Sequence, residues 1–257
     1  MAGIATLLER RQAAVALRRA LPRGAWPLFA ARSPAHLATL LHRHCLDALV
    51  IGPAAARGSI LDALRRDYPG MPLILYLPVR SDDAELLRRA HRERVAAVAV
   101  EGLDEPTLPR LLLRHSLTAR RQADLLPLAD RLDLTDDLQR RAWGLIVALA
   151  PRGLDTAALA RQLQVRRETL SRKFSAGAAP SLKHAIDAVR LVAAAQLLGN
   201  PAYTVADAAR LLGFSSVSLL QQTARRTFGV SAREVGTLDA ARMAARLVSS
   251  GSRVRWR

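Results

Sequence analysis

One pattern of apolar residues occurs twice between residues 155 and 228. In each copy, a short stretch with helical spacing leads through a turn into a second such stretch. This spacing buries one face of each helix and leaves the opposite face in water. The repeat therefore predicts an all-α C-terminal domain with two helix-turn-helix units.

The first copy has a buried face and a polar face, with Val165 at the turn between its two helices. The inward positions are Leu159, Ala160, Leu163, Leu170 and Phe174. The outward positions at the start of the second helix and along it are Arg166, Arg167, Glu168, Ser171 and Arg172. A helix with such a polar face fits the major groove of DNA and can contact bases and phosphates.

The second copy begins at Thr204, a residue type that caps helices, and turns at Gly213. Its inward positions are Val205, Ala208, Ala209 and Leu212. Its second helix, predicted over 216–227, presents outward Ser216, Val217, Ser218, Gln221, Gln222, Arg225 and Arg226. A helix predicted over 181–198 joins the two copies.

The first half of the chain alternates between short apolar runs and helical stretches. The runs are 26–30, 48–51, 73–77 and 96–100, and the helical stretches are 33–44, 59–68, 82–92 and 104–119. Continuous apolar strands separated by helices indicate an α/β doubly wound domain with a parallel sheet covered on both faces. Ser33 is a plausible N-cap. Before this region, we favour an edge strand over 3–8 and a helix over 11–21; the alternative is one helix over 4–21.

Residues 135–236 resemble the DNA-binding domain of the AraC/XylS family of transcription regulators. The resemblance rests on both helix-turn-helix units, on Arg190-Leu191 and Leu197-Leu198 in the joining helix, and on the stretch 205–231. It implies a module that places two recognition helices in successive major-groove segments of duplex DNA. The base-reading positions that it implies are Arg167, Glu168, Ser171 and Arg172 in the first unit, and Val217, Ser218, Gln221 and Gln222 in the second.

Two positions of the first unit need separate expectations. Gln164 stands where the family often has glycine, so a positive φ there would strain the turn by about 1 kcal/mol. Glu168 could accept a hydrogen bond from cytosine or pair with Arg172 four residues on. We favour the intrahelical pair.

Residues 1–120 resemble the receiver domain of bacterial response regulators, in element order and length. Receiver chemistry needs a phosphoryl-accepting Asp after the third strand, an acidic pair after the first, a hydroxyl after the fourth and a Lys after the fifth. These positions fall on Gly52-Pro53, on Glu9 alone, near Leu77 and near Glu101. We therefore expect a degenerate, non-phosphorylated pseudo-receiver that acts in dimerisation, partner docking or ligand sensing.

Three other acids of this half have simpler interpretations. Asp47 begins its strand and so lies at the wrong end of the sheet to accept a phosphoryl group. Asp82 and Asp83 are expected to cap a helix N-terminus.

Pro127 interrupts the helical period of residues 120–134. We expect a regulatory domain at 1–120, a linker at 121–134, the DNA-binding domain at 135–237 and a basic tail at 238–257.

The charge of +17 implies a polyanionic partner, and residues 131–257 carry 20 basic and 9 acidic side chains. The single Cys45 excludes an intrachain disulfide and a cysteine-based zinc cluster. We find no motif for a metal or cofactor, no apolar run of about 20 residues and no signal-peptide pattern. The prediction is a cytoplasmic, non-enzymatic regulator that binds double-stranded DNA. RNA polymerase and a second copy, through the N-terminal domain, are candidate partners; a membrane is not.

Two alternatives remain beside this prediction. A response regulator phosphorylated at a non-standard site would share both domains. An α/β enzyme with a DNA-binding domain is the other, although no Ser/His/Asp order or glycine-rich phosphate loop supports it.

Overall fold

The computed structural model describes residues 3–22, 26–238, 242–243 and 246–248. It divides into two compact units, Met1–Arg120 with Asn200–Ala202, and Arg121–Gly199 with Tyr203–Arg257. The sequence-based expectation for the basic end, 250–257, lies outside the described residues. No helix in the described ranges is long and apolar enough to cross a membrane.

The first unit is an α/β fold in which strands and helices alternate. The strands are β1 Gly3–Leu7, β2 Leu28–Ala30, β3 Leu46–Ile51, β4 Leu73–Leu77 and β5 Ala97–Val100. The helices are α1 Arg11–Ala20, α2 Pro34–Arg43, α3 Pro53–Arg57, α4 Ile60–Asp67, α5 Ala84–Arg92 and α6 Leu108–His115. Helix α7, Leu117–Leu125, contains the boundary between the units.

The five strands form one parallel sheet in the order β2-β1-β3-β4-β5. This is the flavodoxin-like doubly wound order, and every residue of β1, β3 and β4 is buried. In one core cluster, Ile4, Val50 and Ile74 pack with Leu17 of α1 and Leu112 of α6. The parallel sheet predicted from the apolar runs is confirmed.

Strand β1 is not the edge strand that we expected. It pairs with β2 on one side and with β3 on the other. All five of its residues are buried, which suits an interior position, whereas the short and partly exposed β2 takes the edge.

The helices largely follow their predicted ranges, with two differences. Ser33 caps α2, and its Oγ accepts a hydrogen bond from the His36 N–H at 3.1 Å. The single helix predicted over 104–119 is instead two helices, because the backbone of Ser116 is extended and its Oγ accepts from the Ala119 N–H at 2.9 Å. Helix α3, which starts at Pro53 after Gly52, was not predicted.

The second unit is entirely helical in its described part. Its helices are α8 Asp137–Leu149, α9 Thr156–Gln162, α10 Arg167–Phe174, α11 Leu182–Leu198, α12 Val205–Leu211, α13 Val217–Phe228 and α14 Ala232–Val235, with short 3-10 helices at Leu126–Leu128 and Ala150–Arg152. Asp136 caps α8 by accepting from the Leu138 N–H at 2.6 Å.

The segment 121–134, which we expected to be a linker, is packed into this unit. Leu125, Leu128, Leu132 and Leu134 are buried. The indole N–H of Trp143 donates to the Leu125 carbonyl at 3.0 Å. Leucines at these spacings provide apolar area to bury, so the segment acts as the first layer of the helical unit.

Candidate nucleic-acid interface

The first helix-turn-helix unit consists of α9 and α10. Asp155 caps α9 by accepting from the Ala158 N–H at 2.6 Å. The inward residues predicted from the spacing, Leu159, Ala160, Leu163, Leu170 and Phe174, are all buried. Gln164, at the turn, has a φ of 56°, the left-handed conformation in which a non-glycine residue is strained.

The predicted outer positions of this unit lie in solvent, apart from Ser171, which is half-buried. Arg166, Arg167, Glu168 and Arg172 are exposed. Glu168 pairs with Arg167, with 3.2 Å between its Oε1 and the Arg167 Nε, so the favoured pair with Arg172 is wrong. A hydrogen bond from the Glu168 backbone amide, together with Arg167, lowers the pKa of the Glu168 carboxyl.

Gln139 of α8 positions the end of α10, a role that the sequence analysis missed. Its buried amide donates to the carbonyls of Lys173 and Phe174, at 3.2 and 3.1 Å. Its Oε1 accepts from the Asp136 N–H at 2.9 Å. The last turn of α10 is therefore tied to the first turn of α8, which holds the polar face of α10 in one orientation.

The second unit consists of α12 and α13. Thr204 caps α12 in a reciprocal capping box with Asp207. Ala208, Ala209 and Leu212 are buried as predicted, and Val205 is half-buried.

Gly213 turns the chain with a φ of 71°, a conformation that favours glycine. The next helix, α13, is capped by Ser216, whose Oγ accepts from the Leu219 N–H at 3.1 Å. The Ser216 side chain therefore has a structural partner.

The outer face of α13 is polar but mostly uncharged. Ser218, Gln221 and Gln222 are exposed, and Val217 is half-buried. Leu219 is 39% exposed on the first turn. The charge of this helix lies in its last turns, at Arg225 and Arg226.

Arg226 differs from Arg225 although both are exposed. Its guanidinium pairs with Asp187 of α11, at 2.8 Å from Nη2 to Oδ2. Asp187 is only 5% exposed, and Lys183 lies 3.4 Å from the same oxygen. The Arg225 side chain has no hydrogen-bond or ion-pair partner in the part of the chain that the structure describes. Arg226 therefore ties α13 to α11.

Helix α11 joins the two helix-turn-helix units, as the sequence predicts. Its 17 residues span about 25 Å at 1.5 Å per residue. It packs against α8 on the side of the first helix-turn-helix unit and against α12, α13 and α14 on the side of the second helix-turn-helix unit. It is buried along most of its length, so it is the core of the module as well as its spacer.

The carboxyl end of the sheet in the first unit shows a different arrangement of charge. Gly52-Pro53 follows β3, where a phosphoryl acceptor would stand, and the Oε1 of Glu9 accepts from the Ala55 N–H at 2.9 Å. A Cβ on Gly52 would meet the Glu9 carboxylate at 2.1 Å. In this conformation, the end of the Glu9 side chain lies where a side chain at position 52 would begin.

Two ion pairs also lie near this edge. Arg10 binds Glu101, with 3.0 Å from Nη1 to Oε2. Arg57 pairs with Asp83, which is 1% exposed and also accepts from the Arg80 N–H at 2.8 Å. The expected capping by Asp83 is therefore wrong, because its carboxylate makes no capping bond to α5 and is held by Arg57 instead.

Asp47 lies at the opposite end of β3, as predicted, and accepts from the backbone and hydroxyl of Thr118 at 3.2 and 2.9 Å.

Comparison with known proteins adds to this geometry. Residues 159–237 match the family model described as a helix-turn-helix domain. No curated protein matches the chain.

Several solved structures are similar at low identity. Full-length FixJ from B. japonicum is 12% identical, with 92% of this chain and 98% of that chain covered and a TM-score of 0.39. RcsB from Salmonella enterica serovar Typhimurium is 13% identical, covering 66% of this chain and 87% of that one, with a TM-score of 0.38. A response regulator from Burkholderia pseudomallei is 15% identical, covering 67% and 99%, with a TM-score of 0.35.

A helical unit with two helix-turn-helix motifs on a basic chain defines a DNA-binding transcription regulator. The motifs belong to a helix-turn-helix domain of the AraC type, and the unit that precedes it contains a flavodoxin-like doubly wound sheet.

Proposed function

We propose that this regulator reads one specific DNA sequence by placing α10 and α13 in successive major-groove segments. The observation that carries the proposal is that both helices bury one face in their own unit and present polar side chains on the other. Major-groove base edges are read by such side chains, and phosphates by the cations around them.

We infer that α10 supplies most of the charge-dependent recognition. Arg172 and Arg167 are long, exposed donors suited to the O6 and N7 acceptors of guanine. Arg166, at the helix N-terminus, is placed to contact phosphate. Glu168 orients Arg167 in the free protein, and the half-buried Ser171 offers a short hydroxyl contact near the groove floor.

We infer that α13 reads bases mainly through neutral groups. The amides of Gln221 and Gln222 can each pair with the N6 and N7 of adenine. Val217 and Ser218 approach bases at the first turn, near Ser216, while Arg225 contacts phosphate. Arg226 serves the interface indirectly, through its bond to Asp187.

We propose that the first unit, residues 1–120, regulates this activity without phosphorylation at the position after β3. The support is that Gly52-Pro53 offers no carboxylate and that Glu9 fills the adjacent space. Dimerisation with a second copy, docking of a partner such as RNA polymerase, and sensing of a small ligand are the roles open to this unit. Incubation with a small phosphodonor should give no mass shift, and incorporation of one phosphoryl group would contradict this part.

The DNA proposal is tested by selecting duplexes from a random pool with the full chain and footprinting the enriched sequence. We expect two protected major-groove segments about 10 base pairs apart on one face of the duplex. A double variant, Arg172→Ala with Gln222→Ala, should lose both contacts while its circular dichroism stays unchanged. Failure to enrich any sequence would refute the proposal.

A further inference from the structure

Arg190, in the middle of α11, bonds to one helix-turn-helix unit and contacts the other. Its Nη2 donates to the Leu154 carbonyl at 3.0 Å, and its Nε donates to the Ala150 carbonyl at 3.4 Å. Ala150 begins the 3-10 helix that follows α8, and Leu154 lies shortly before α9. The same guanidinium lies 5.2 Å from the ring centre of Phe214, the residue at the turn between α12 and α13.

The backbone at the turn of the second helix-turn-helix unit also meets the backbone that leads into the first. Gly153, which lies between the two acceptor residues Ala150 and Leu154, has a φ of 74°, and Gly213 has a φ of 71°. A Cβ built on Gly213 would lie 3.5 Å from the Cα of Gly153. The turn of the second helix-turn-helix unit, between α12 and α13, therefore lies directly against the segment that precedes α9. Arg190 lies beside both.

The chemistry of this contact favours one geometry. Burial lowers the pKa of the Arg190 guanidinium, although Asp187 and Asp155 act in the opposite direction. A desolvated cation needs well-aligned acceptors, and the planar fork of arginine can satisfy two carbonyls while its face stacks on an aromatic ring. Displacing either helix-turn-helix unit would separate the Arg190 guanidinium from a carbonyl acceptor or from the Phe214 ring.

We propose that Arg190 is a positioning residue that fixes the separation and rotation of α10 relative to α13, and so sets the spacing of the two DNA segments that the protein reads. The part that concerns DNA rests on the proposed function. Helix α11 joins the two helix-turn-helix units, and the contacts of Arg190 restrict the rotation of each of them about that helix.

The first test measures the geometry without DNA. Spin labels are attached to Lys173→Cys and Gln222→Cys, two exposed sites on α10 and α13, in a full-length Cys45→Ser background. The distance distribution should be narrow with Arg190 present. It should broaden or split in Arg190→Met, which keeps most of the side-chain volume but removes the donors.

Two further variants make this measurement decisive. Arg141→Met, which removes an exposed arginine of α8, is the matched control and should leave the distribution narrow. Arg190→Lys keeps the charge and replaces the fork by a point donor, so it should give intermediate width even if Arg190→Met does not fold. An unchanged distribution in Arg190→Lys and in a folded Arg190→Met would overturn the proposal.

The second test measures spacing on the selected duplex. One inserted base pair between the two segments rotates them by about 35°. We expect the insertion to weaken wild-type binding at least about tenfold and Arg190→Lys binding only about threefold, with equal affinity of both proteins for a single segment. An equal penalty in both proteins would overturn the proposal. If wild-type protein selects no sequence, the proposed function fails, and the spin-label distances alone decide the role of Arg190.

Discussion

Charged side chains are arranged in opposite ways at the sheet edge of the first unit and on the recognition helices of the second. At the sheet edge, Arg10 and Arg57 are bound to Glu101 and Asp83. On the helices, Arg166, Arg172 and Arg225 have no hydrogen-bond or ion-pair partner among the described residues. These two cations of the sheet edge are bound internally, whereas three cations of the recognition helices are available to a ligand, although Arg167 and Arg226 are paired with Glu168 and Asp187.

This difference in charge pairing indicates where a phosphate can bind to the protein. A phosphoryl group on the position after β3 would meet the nearby Glu9 carboxylate, which repels it. A phosphate of DNA near α10 or α13 meets cations that need no rearrangement, and its binding releases counterions. The comparison thus supports the proposals that the second unit recognises DNA and that the first acts without phosphorylation after β3.

The largest effect should come from removing a base-reading cation. Replacing Arg172 by Ala should weaken binding to the selected duplex by about tenfold to hundredfold, because one bidentate pair contributes about 1–3 kcal/mol. Arg10→Ala, at the sheet edge, is the matched control and should bind as wild type. Fluorescence anisotropy titration at one salt concentration measures both. Equal losses of DNA affinity in the two variants would show that the recognition helices and the sheet edge do not differ in their role in DNA binding.

The next effect separates the two adjacent arginines of α13. Arg226→Gln should lower the free energy of unfolding by about 1 kcal/mol, because the buried Asp187 loses its nearest cation while Lys183 remains. Arg225→Gln should leave stability unchanged. Urea denaturation followed by circular dichroism measures this. A larger loss of stability from Arg225→Gln would contradict the assigned roles.

A smaller effect concerns salt. Arg166→Ala and Arg225→Ala should each reduce the slope of log affinity against log salt by about one, if each contacts one phosphate. Arg57→Ala, which removes a paired cation of the first unit, should not change the slope of the folded protein. Titrations at four salt concentrations give these slopes, and identical slopes in all proteins would argue against phosphate contacts at both positions.

The smallest effect is a pH dependence of stability. Burial lowers the pKa of His184, beside Asp187 and Arg226, below its usual 6.5. The unfolded chain then binds more protons than the folded one, so the contribution of His184 is complete above pH 6.5 and is lost as pH falls through the lowered pKa. His184→Gln should flatten this part of the stability curve, while His115, whose pKa is also lowered, contributes equally to both proteins. Parallel curves would contradict the prediction.

Much of the fold could be predicted because its signals are local. Apolar runs such as Leu73–Leu77 identify strands that are buried on both faces, and the spacing of Leu159, Leu163 and Leu170 identifies the inner face of a helix-turn-helix unit. The position of β1 in the sheet could not be predicted in this way, because strand order depends on pairing between distant segments.

The partners of long polar side chains were the least predictable part of the site. Arg225 and Arg226 are adjacent and equally hydrophilic, and only the packing of α13 on α11 brings Arg226 to Asp187. Asp83 precedes a helix as a capping residue does, yet Arg57, from another helix, binds it. Periodicity defines the face on which a residue lies, but the partner of that residue depends on tertiary structure.

The most direct test of the account is a competition experiment with the purified full chain. A labelled duplex that carries the selected sequence is challenged with unlabelled random duplex and with the same duplex scrambled in both segments. We predict that the selected sequence is retained against at least about a thousandfold excess of either competitor, the lower end of typical specificity ratios. Equal displacement by scrambled and selected competitors would contradict the claim that α10 and α13 read DNA sequence.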